Sequence, residues 1–201
     1  MMRQAMATAD DSAPGWDSIT EAFGALHGSA PHEQRAVRPD GQEGPVLHSI
    51  SAYRGEDHWH FVTLGLTELF AKPPDQTPGV SGWGHELTLL TPASQRAPDW
   101  GFELLLGVAR TCVTHGRPFH AGARLAPGPP LDGAGSGLVA IGLRADPLVA
   151  PTRFPFGRYE FLQAVGVTTG EYKLMRRAGT LMVLERLALR DPLLRTDPAR
   201  A

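Results

Sequence analysis

The feature that most constrains this chain is a long apolar segment near its middle, PDWGFELLLGVARTCVTHG, at positions 98–116. Pro98 and Asp99 are typical of a helix start, and Gly116 is typical of a helix end. Between them, apolar side chains fall on nearly every side of the predicted helix rather than on one stripe. A helix of this kind has to be covered on several sides by other elements. We therefore expect it to pack against a β-sheet and neighbouring loops.

Many of the remaining apolar residues lie in short segments with the alternation or the β-branched content of strands. Two of these segments, 46–54 and 58–65, are separated by a GED turn and predict a β-hairpin. Further strands are predicted at 83–90, 136–146 and 158–167. The last two have few polar interruptions, so we expect them near the centre of a sheet.

Helices are predicted near both ends of the chain. An N-terminal helix follows from four apolar residues at helical spacing, which are Trp16, Ile19, Phe23 and Leu26. Near the C-terminus, Thr168 or Thr169 can cap a helix that ends at Gly179, and TLMVLERLALR forms the next helix. The segments 28–45 and 71–82 are rich in Pro and Gly and are predicted loops. The resulting order predicts one α+β domain with a mixed, mostly antiparallel β-sheet flanked by helices.

Composition argues against several classes of function. The chain has 201 residues and a formal net charge of −2, so charge gives no basis for binding nucleic acid or an anionic membrane. Residues 1–13 are small and polar and lack the apolar stretch of a secretion signal, so we expect a disordered tail before one domain at 14–201. Cys112 is the single cysteine, which excludes an internal disulfide and is typical of a cytoplasmic protein.

The segment HWHFVTLGLTEL, which begins at His58, raises the question of a metal site. Side chains alternate along a strand, so His58 and His60 share one face. His48, on the other strand of the hairpin, is a candidate third ligand, and His85 lies on another predicted strand. No further metal-binding motif accompanies them. We therefore predict hydrogen-bonded histidines without a metal, and keep a metal-dependent hydrolase using His48, His58 and His60 as the alternative.

Other catalytic groups have little support in the sequence. Cys112 lies in the apolar helix, where no neighbouring charge lowers the pKa of its thiol, so we expect it to be inert. The serines of GVSGWG and GAGSGL lack the spacing of a nucleophile elbow or a phosphate-binding loop. A small-molecule site built from the four tryptophans is a third candidate. Without a catalytic set we predict a binding module and no cofactor, with segment 71–82 as an exposed sheet edge that accepts a peptide.

Five blocks of the sequence occur in an order that resembles the suppressor of fused domain family. They are ISAYRGEDHWHFVTLGLTELF, SGWGHELTLL, PDWGFELLLGVARTCVTHG, YEFLQAVGVTTGEYKLM and LLRTDPAR. The resemblance as a whole covers roughly residues 15–200. The residues that match the family pattern, which we expect to be structural, are His58, Trp59, His60, Gly65, Leu66, Glu68, Gly82, Gly84, Glu86, Phe161, Leu162, Gln163 and Gly166.

The resemblance implies a non-enzymatic protein-binding domain. In animals, the protein that gives the family its name restrains Hedgehog signalling by binding Gli-type transcription factors, and it clamps an extended peptide between this domain and a second one. The present chain leaves no room for that second domain and resembles bacterial single-domain members, which are proposed to be immunity proteins against polymorphic toxins. The implied partner is another protein, either a toxin domain or an extended peptide, with no nucleic acid or membrane involved.

The resemblance also implies a partner-binding position. Phe70 matches an aromatic residue that lies near the bound peptide in the animal protein. An acidic residue of the following loop contacts that peptide, and an ungapped alignment places Pro78 there, whereas a gap would place Asp75 there. We therefore expect Phe70 and Asp75 to contact the partner.

Overall fold

A β-sheet with helices on both faces organises the part of the chain that the computed structural model describes. The described residues are 12–28, 30–38, 46–71, 79–126, 128–154 and 156–200. The helices are α1 (Pro14–His27), α2 (Asp99–His115), α3 (Thr169–Ala178) and α4 (Thr180–Ala188), with a 3₁₀ turn at Pro198–Arg200. The strands are β1 (Glu33–Ala36), β2 (Ser49–Arg54), β3 (His58–Leu64), β4 (Val80–Pro92), β5 (Arg124–Leu125), β6 (Leu138–Ala145), β7 (Thr152–Phe154) and β8 (Gly157–Thr168).

The strand order confirms the predicted fold class. Within the described residues the order is β1-β2-β3-β4-β8-β6-β5, with β7 paired to β8 outside this path. β4 and β8 run parallel, and the other pairs of these strands are antiparallel. This is the predicted α+β domain with a mixed, mostly antiparallel sheet flanked by helices. The predicted hairpin is β2–β3, in which Tyr53 lies opposite His60 and Ser51 lies opposite Val62.

Three short strands and the sheet edges differ from the prediction. β1 lies inside the predicted loop 28–45, and β1, β5 and β7 have four, two and three residues, too few for alternation to be visible. β4 begins at Val80 and lies between β3 and β8. At residues 80–82 the pairing partners are Arg158 of β8 on one side and, on the other, residues 66–68, which bond to Ser81 and Trp83. The predicted exposed edge at 71–82 is therefore wrong for residues 80–82, and residues 72–78 lie outside the described part. The ends of the described strand path are β1 and β5.

Alternation along β3 divides its side chains between two cores, as the sequence predicts. Trp59 and Phe61 belong to the core on the α2 side, where the Phe61 and Phe102 rings are 5.0 Å apart in an edge-to-face arrangement. Val62 belongs to the core on the opposite face, together with Phe23 of α1. Because both faces of the sheet are covered here, every residue of β3 is buried.

The two faces are covered by different helices. On one face, α2 buries Phe102, Leu105 and Val108, whereas its Leu104 and Leu106 stay partly exposed, so this helix is covered on fewer sides than predicted. On the other face, α1 covers the β2–β3 side and α3 with α4 cover the β6–β8 side. No helix among the described residues is long and apolar enough to cross a membrane.

The start of α3 confirms one of the two predicted helix caps. The Thr168 hydroxyl accepts a hydrogen bond from the Glu171 N–H at 3.2 Å, and the Glu171 carboxylate accepts one from the Thr168 N–H at 2.8 Å. This reciprocal pair is a capping box, which satisfies N–H groups that a helix start leaves without partners. The predicted disordered tail stays a prediction, since residues 1–11 lie outside the described part.

The N-terminal end of α1 is seated on the loop that follows β3, which we call the 65–71 loop. The carbonyl oxygen of Leu69 accepts hydrogen bonds from the N–H groups of Gly15 and Trp16, at 3.0 and 3.4 Å. Such N–H groups have no partner within the helix itself. Gly15 permits the contact, because a Cβ at this position would lie 2.0 Å from the carbonyl oxygen of Glu68.

We therefore predict opposite effects of one substitution at two helical glycines. Gly15→Ala should lower the free energy of unfolding by about 1–3 kcal/mol, because the added methyl group overlaps the backbone of the 65–71 loop. Gly107→Ala should raise it by about 0.5–1 kcal/mol, because alanine is the better helix former and no atom lies within 4 Å of the added Cβ. Urea unfolding of both variants measures the two changes. Equal stabilisation by both substitutions would contradict the seating of α1 on the loop.

Candidate functional site

A fully buried carboxylate holds the 65–71 loop in place. Glu86 on β4 has no exposed surface. Its Oε1 accepts hydrogen bonds from the N–H groups of Gly65 and Thr67, at 3.0 and 2.9 Å, and from the Thr67 hydroxyl at 2.7 Å. Its Oε2 accepts a hydrogen bond from the Thr63 hydroxyl at 2.6 Å. Four donors from one short segment therefore converge on a single side chain.

The electrostatic state of Glu86 reflects this environment. Burial raises the pKa of the Glu86 carboxyl, and the hydrogen bonds from Thr63, Thr67 and Gly65 offset only part of that effect. The Thr63 hydroxyl also accepts a hydrogen bond from the Leu87 N–H at 2.8 Å, next to the point where the β3–β4 register ends. Burial therefore raises the free energy of the ionised form of Glu86, and the hydrogen bonds donated by Gly65 and Thr67 lower it again in part.

The 65–71 loop also lies directly against the start of β4. The N–H of Trp83 donates to the carbonyl of Leu66 at 2.8 Å, and the N–H of Glu68 donates to the Ser81 hydroxyl at 2.9 Å. Gly82 has a φ of 51°, and a Cβ there would lie 2.4 Å from the Leu66 oxygen. This position combines a left-handed backbone with a close approach, which favours glycine.

These contacts bring two of the sequence blocks into one structural unit. The pattern residues that meet here are Gly65, Leu66, Glu68, Gly82 and Glu86. Gly84 lies two residues further along β4 with a φ of 78°. On β8, the side chains of Phe161, Leu162 and Gln163 are buried, and a Cβ at Gly166 would lie 2.5 Å from the Thr196 methyl group.

The exposed Phe70 of the 65–71 loop lies in a row of three rings with exposed His48 and half-buried Trp16, and we call these three residues the Phe70 patch. The Phe70 side chain is 53% exposed. Its ring centroid lies 6.0 Å from that of His48, and the His48 centroid lies 4.9 Å from that of Trp16. The N–H of Ala71 donates to the Ser12 carbonyl at 3.1 Å. Asp75, the second predicted contact residue, lies outside the described residues and stays a prediction.

The structure places His48 away from the other two histidines of the predicted metal site. The β2–β3 turn lies at residues 55–57, so Tyr53 is opposite His60, while the His48 N–H bonds to the Leu64 carbonyl at the other end of β3. Six residues of strand separate His58 from Leu64, or roughly 20 Å. The alternative in which His48 joins His58 and His60 across the hairpin is therefore wrong, because His48 lies at the opposite end of β3 from His58.

His60 instead takes part in a buried hydrogen-bond chain. Its Nε2 lies 3.0 Å from Oδ2 of Asp146, and both side chains are fully buried. Asp146 also accepts hydrogen bonds from the Thr88 hydroxyl at 2.5 Å and from the Leu148 N–H at 2.8 Å. Burial tends to raise the pKa of Asp146, but the hydrogen bonds from His60 and Thr88 lower it below the usual range. An ionised Asp146 therefore accepts a proton-bearing Nε2 of His60.

His27, the last residue of α1, joins His58 and His60 on this face of the sheet. One ring nitrogen from each of the three residues lies within 4.8 Å of the other two, and His27 Nε2 is 3.1 Å from His60 Nδ1. Burial, followed by the neighbouring His60 and His58, lowers the pKa of His27 to about 4. His27 is therefore neutral at neutral pH. The sequence signal for it was the four-residue spacing Ile19, Phe23, His27, which continues the buried stripe of α1.

Two other candidate groups lie apart from the histidine cluster, and His85 Nε2 is, within the described residues, a buried atom without a hydrogen-bond partner. His85 is buried, its Nδ1 lies 3.1 Å from the Trp83 carbonyl, and burial lowers its pKa to about 4. The Cys112 thiol is buried and donates to the Arg117 carbonyl at 3.4 Å. Burial raises the pKa of the Cys112 thiol, which agrees with the prediction that it is inert.

The tryptophans do not form one common surface. Trp59 is buried in the core on the α2 side, and Trp16 belongs to the Phe70 patch. Trp100 lines an apolar cavity of about 530 Å³, while Trp83 lines a separate cleft of about 770 Å³. The arrangement gives no support to a small-molecule site shared by all four.

Glu86 allows two substitutions with different expected effects. Glu86→Ala should lower the free energy of unfolding by at least about 2 kcal/mol, because the N–H groups of Gly65 and Thr67 lose their acceptor inside the protein. Glu86→Gln keeps an acceptor for both groups and should cost less than the alanine variant. Urea unfolding at pH 7 measures both changes. Equal losses for the two variants would show that side-chain volume, not hydrogen bonding, holds the loop.

The raised pKa of Glu86 predicts the direction of a pH effect. Below the pKa of an unfolded glutamate, about 4.3, the side chain is protonated in both states and carries no penalty. As the pH rises, the unfolded state ionises first, so the contribution of Glu86 to stability falls until the folded pKa is passed. The stability of Glu86→Gln relative to wild type should therefore increase between about pH 4 and pH 7. Glu103→Gln, at an exposed position of α2, is the control for removing a charge, and a flat difference for Glu86→Gln would contradict the prediction.

Comparison of the sequence with known proteins identifies relatives. The family model described as Suppressor of fused protein matches residues 42–201. Over 149 residues, the chain is 35% identical to the Suppressor of fused homolog of Mus musculus and 34% identical to that of Homo sapiens. These matches cover 71% of this chain and 29% of each relative, so the chain spans less than a third of the length of the curated relatives it matches.

Solved structures with a similar fold agree with the sequence relatives. A chain of the Sufu-Fu complex crystal structure has a TM-score of 0.84 and 25% identity, over 94% of this chain and 92% of that one. Drosophila Suppressor of Fused has the same TM-score and identity, over 96% of this chain and 52% of that one. A suppressor of fused homolog from Neisseria gonorrhoeae shares the fold, with a TM-score of 0.61 and 16% identity over 93% of this chain and 95% of that one. Since the family model matches most of the residues and the fold agrees, the chain belongs to the suppressor of fused family.

Proposed function

We propose that this chain is a non-enzymatic, cytoplasmic protein-binding domain and that its partner contacts the Phe70 patch. The observation that carries the proposal is the exposed Phe70 ring on a fixed support. Hydrogen bonds join the 65–71 loop to Glu86, Trp83 and Ser81 of β4, and the Leu69 carbonyl joins it to α1. Exposed aromatic residues on rigid elements are typical of the few positions that dominate binding energy at protein interfaces.

A rigid support matters because binding has an entropic cost. Ordering a loop and its side chains on association reduces the net affinity. Here the backbone of the loop is already fixed by hydrogen bonds in the free protein, so the Phe70 patch is close to its binding geometry before a partner arrives. Half-buried Trp16 and exposed His48 extend the aromatic surface beside Phe70, which gives a partner residue a wider area to cover.

The relatives support a protein partner. The Sufu-Fu crystal structure, whose chain resembles this one over most of its length, is by its own description a complex of two proteins. We extend to this chain the general property that a second protein is bound. The Gli-type factors of animals are not extended to it, because the sequence match covers only part of the animal proteins.

The chemistry of the buried polar groups supports a non-enzymatic role. Among the described residues, the carboxylates of Glu86 and Asp146 are both enclosed in structural hydrogen bonds. The thiol of Cys112 is buried with a raised pKa. Each of these groups is accounted for by hydrogen bonds that stabilise the fold.

For the partner itself, we propose a toxin domain, which would make this chain an immunity protein. This step rests on the resemblance to bacterial single-domain members of the family. An extended peptide segment of another cytoplasmic protein is the other form that the partner can take. The two forms share the Phe70 patch as the contact surface and differ in the identity of the bound chain.

The contact surface is tested by a matched pair of substitutions. Phe70→Glu places a charge in the centre of the Phe70 patch and should weaken partner binding by at least about tenfold, since buried interface aromatics contribute about 2 kcal/mol or more. Leu189→Glu changes an apolar residue that is 86% exposed on the segment after α4 and should leave binding intact. The measurement is affinity capture from the native host followed by titration of the recovered partner. Equal capture by both variants would remove the Phe70 patch as the contact surface.

The immunity function is tested by co-expression. If a gene adjacent to the one for this chain encodes a toxin, growth of cells expressing that toxin should recover with wild-type protein and with Leu189→Glu, and should recover less with Phe70→Glu. Binding of a partner that is not toxic to cells would end the immunity proposal and leave the protein-binding proposal standing.

A further inference from the structure

We propose that His27, His58 and His60 bind one divalent transition-metal ion, with Zn²⁺ as the best-fitting ion, and that this ion ties the C-terminal end of α1 to β3. The site is separate from the Phe70 patch and does not depend on the proposed protein-binding function. It also differs from the histidine set that the sequence suggested, because His27 takes the place of His48.

The three ring nitrogens are already close to a coordinating arrangement. The three groups lie within 4.8 Å of one another, and His27 Nε2 and His60 Nδ1 are 3.1 Å apart. Two nitrogens bound to one Zn²⁺ at about 2.0–2.1 Å in tetrahedral geometry are about 3.3 Å apart. His27 and His60 therefore have the spacing of two zinc ligands, and a nitrogen of His58 lies within 4.8 Å of both.

His58 supplies an independent observation that points to a ligand. Its side chain is about nine-tenths buried, and Nε2 is a buried atom without a hydrogen-bond partner in the structure. Its Nδ1 is occupied by Asp57 Oδ1 at 3.0 Å. Buried polar atoms are nearly always satisfied by a partner. A metal ion between the three rings is a partner that would satisfy this nitrogen.

Two of the three histidines have carboxylate partners on the opposite ring nitrogen. Asp146 lies 3.0 Å from His60 Nε2, and Asp57 lies 3.0 Å from His58 Nδ1. Carboxylates in this position are common in metal sites, where they fix the tautomer and the ring orientation of the ligand. Because Asp146 lies against His60 Nε2, the other ring nitrogen, Nδ1, is the one that faces His27 and the proposed ion.

The charged groups around the three histidines favour one divalent cation, and the partial exposure of His27 gives that ion a route from solvent. The nearby carboxylates of Asp57 and Asp146 offset the charge of a 2+ ion, and imidazole nitrogen suits zinc better than it suits magnesium or calcium. His27 is only partly buried, whereas His58 and His60 are buried. The ion can therefore enter from the His27 side, and a water molecule can occupy the fourth position there.

The test uses protein without an affinity tag, freed of metal with a chelator and titrated with Zn²⁺. Wild type should bind one equivalent, and Co²⁺ in place of Zn²⁺ should give the visible absorption of a tetrahedral nitrogen-ligated site. His27→Gln should abolish one-to-one binding. His115→Gln is the matched control, since His115 also ends its helix before a left-handed glycine but is exposed and outside the cluster. It should bind Zn²⁺ like wild type.

A variant of a neighbouring group separates binding from folding. Asp57→Asn changes a largely exposed residue and should weaken Zn²⁺ binding by about 10–100-fold, the usual effect of losing a carboxylate partner of a ligand. Melting temperatures in the presence of chelator show whether each variant is folded, and added Zn²⁺ should raise the melting temperature of wild type and His115→Gln but not of His27→Gln. Less than one equivalent of Zn²⁺ on wild type, or wild-type affinity in His27→Gln, would overturn the proposal. Phe70→Glu should bind Zn²⁺ like wild type. The metal site can then be tested separately from the binding of a partner at the Phe70 patch.

Discussion

The buried carboxylate of Glu86 is the interaction on which the functional surface depends. It accepts four hydrogen bonds from residues 63–67 and so fixes the course of the chain as it leaves β3. The same segment supplies the Leu69 carbonyl that receives the first N–H groups of α1. The position of α1 on the sheet therefore depends on Glu86 of β4, which fixes the segment that α1 contacts. Burial raises the free energy of ionised Glu86, and the backbone donors that it satisfies offset part of that cost.

α1 connects the two places where we propose contact with other species. Its first turn carries Trp16 of the Phe70 patch, and its last residue is His27 of the histidine cluster. A helix of this length extends about 20 Å, so the two places are far enough apart to act on separate ligands. Between them, Ile19 and Phe23 are fully buried against β2, β3 and β8, which makes the helix a rigid spacer.

The fold was largely predictable, and the failures have a common cause. The hairpin, the long helix α2 and the Thr168 cap followed from period, turn residues and capping chemistry, all of which act over a few neighbouring residues. The strands that were missed have two to four residues and are held by a partner strand, not by their own composition. The exposed edge expected at 71–82 is wrong at residues 80–82 for the same reason, because β4 pairs with β8, which lies about 75 residues further along the chain.

The candidate sites divide along the same line. Sequence alone determined that His58 and His60 share a face, that Cys112 lies in an apolar core, and which blocks carry the family pattern, because alternation and apolar content are local properties. Only the tertiary structure decided that His27 and Asp146 complete the histidine cluster and that His48 belongs beside Phe70. These contacts depend on strand register and on how α1 packs on the sheet, and a shift of one or two residues in a turn moves a side chain by several ångströms. The free energy that selects one register comes from groups distant in sequence, such as Glu86 and its donors at residues 63–67. It therefore cannot be inferred from one segment alone.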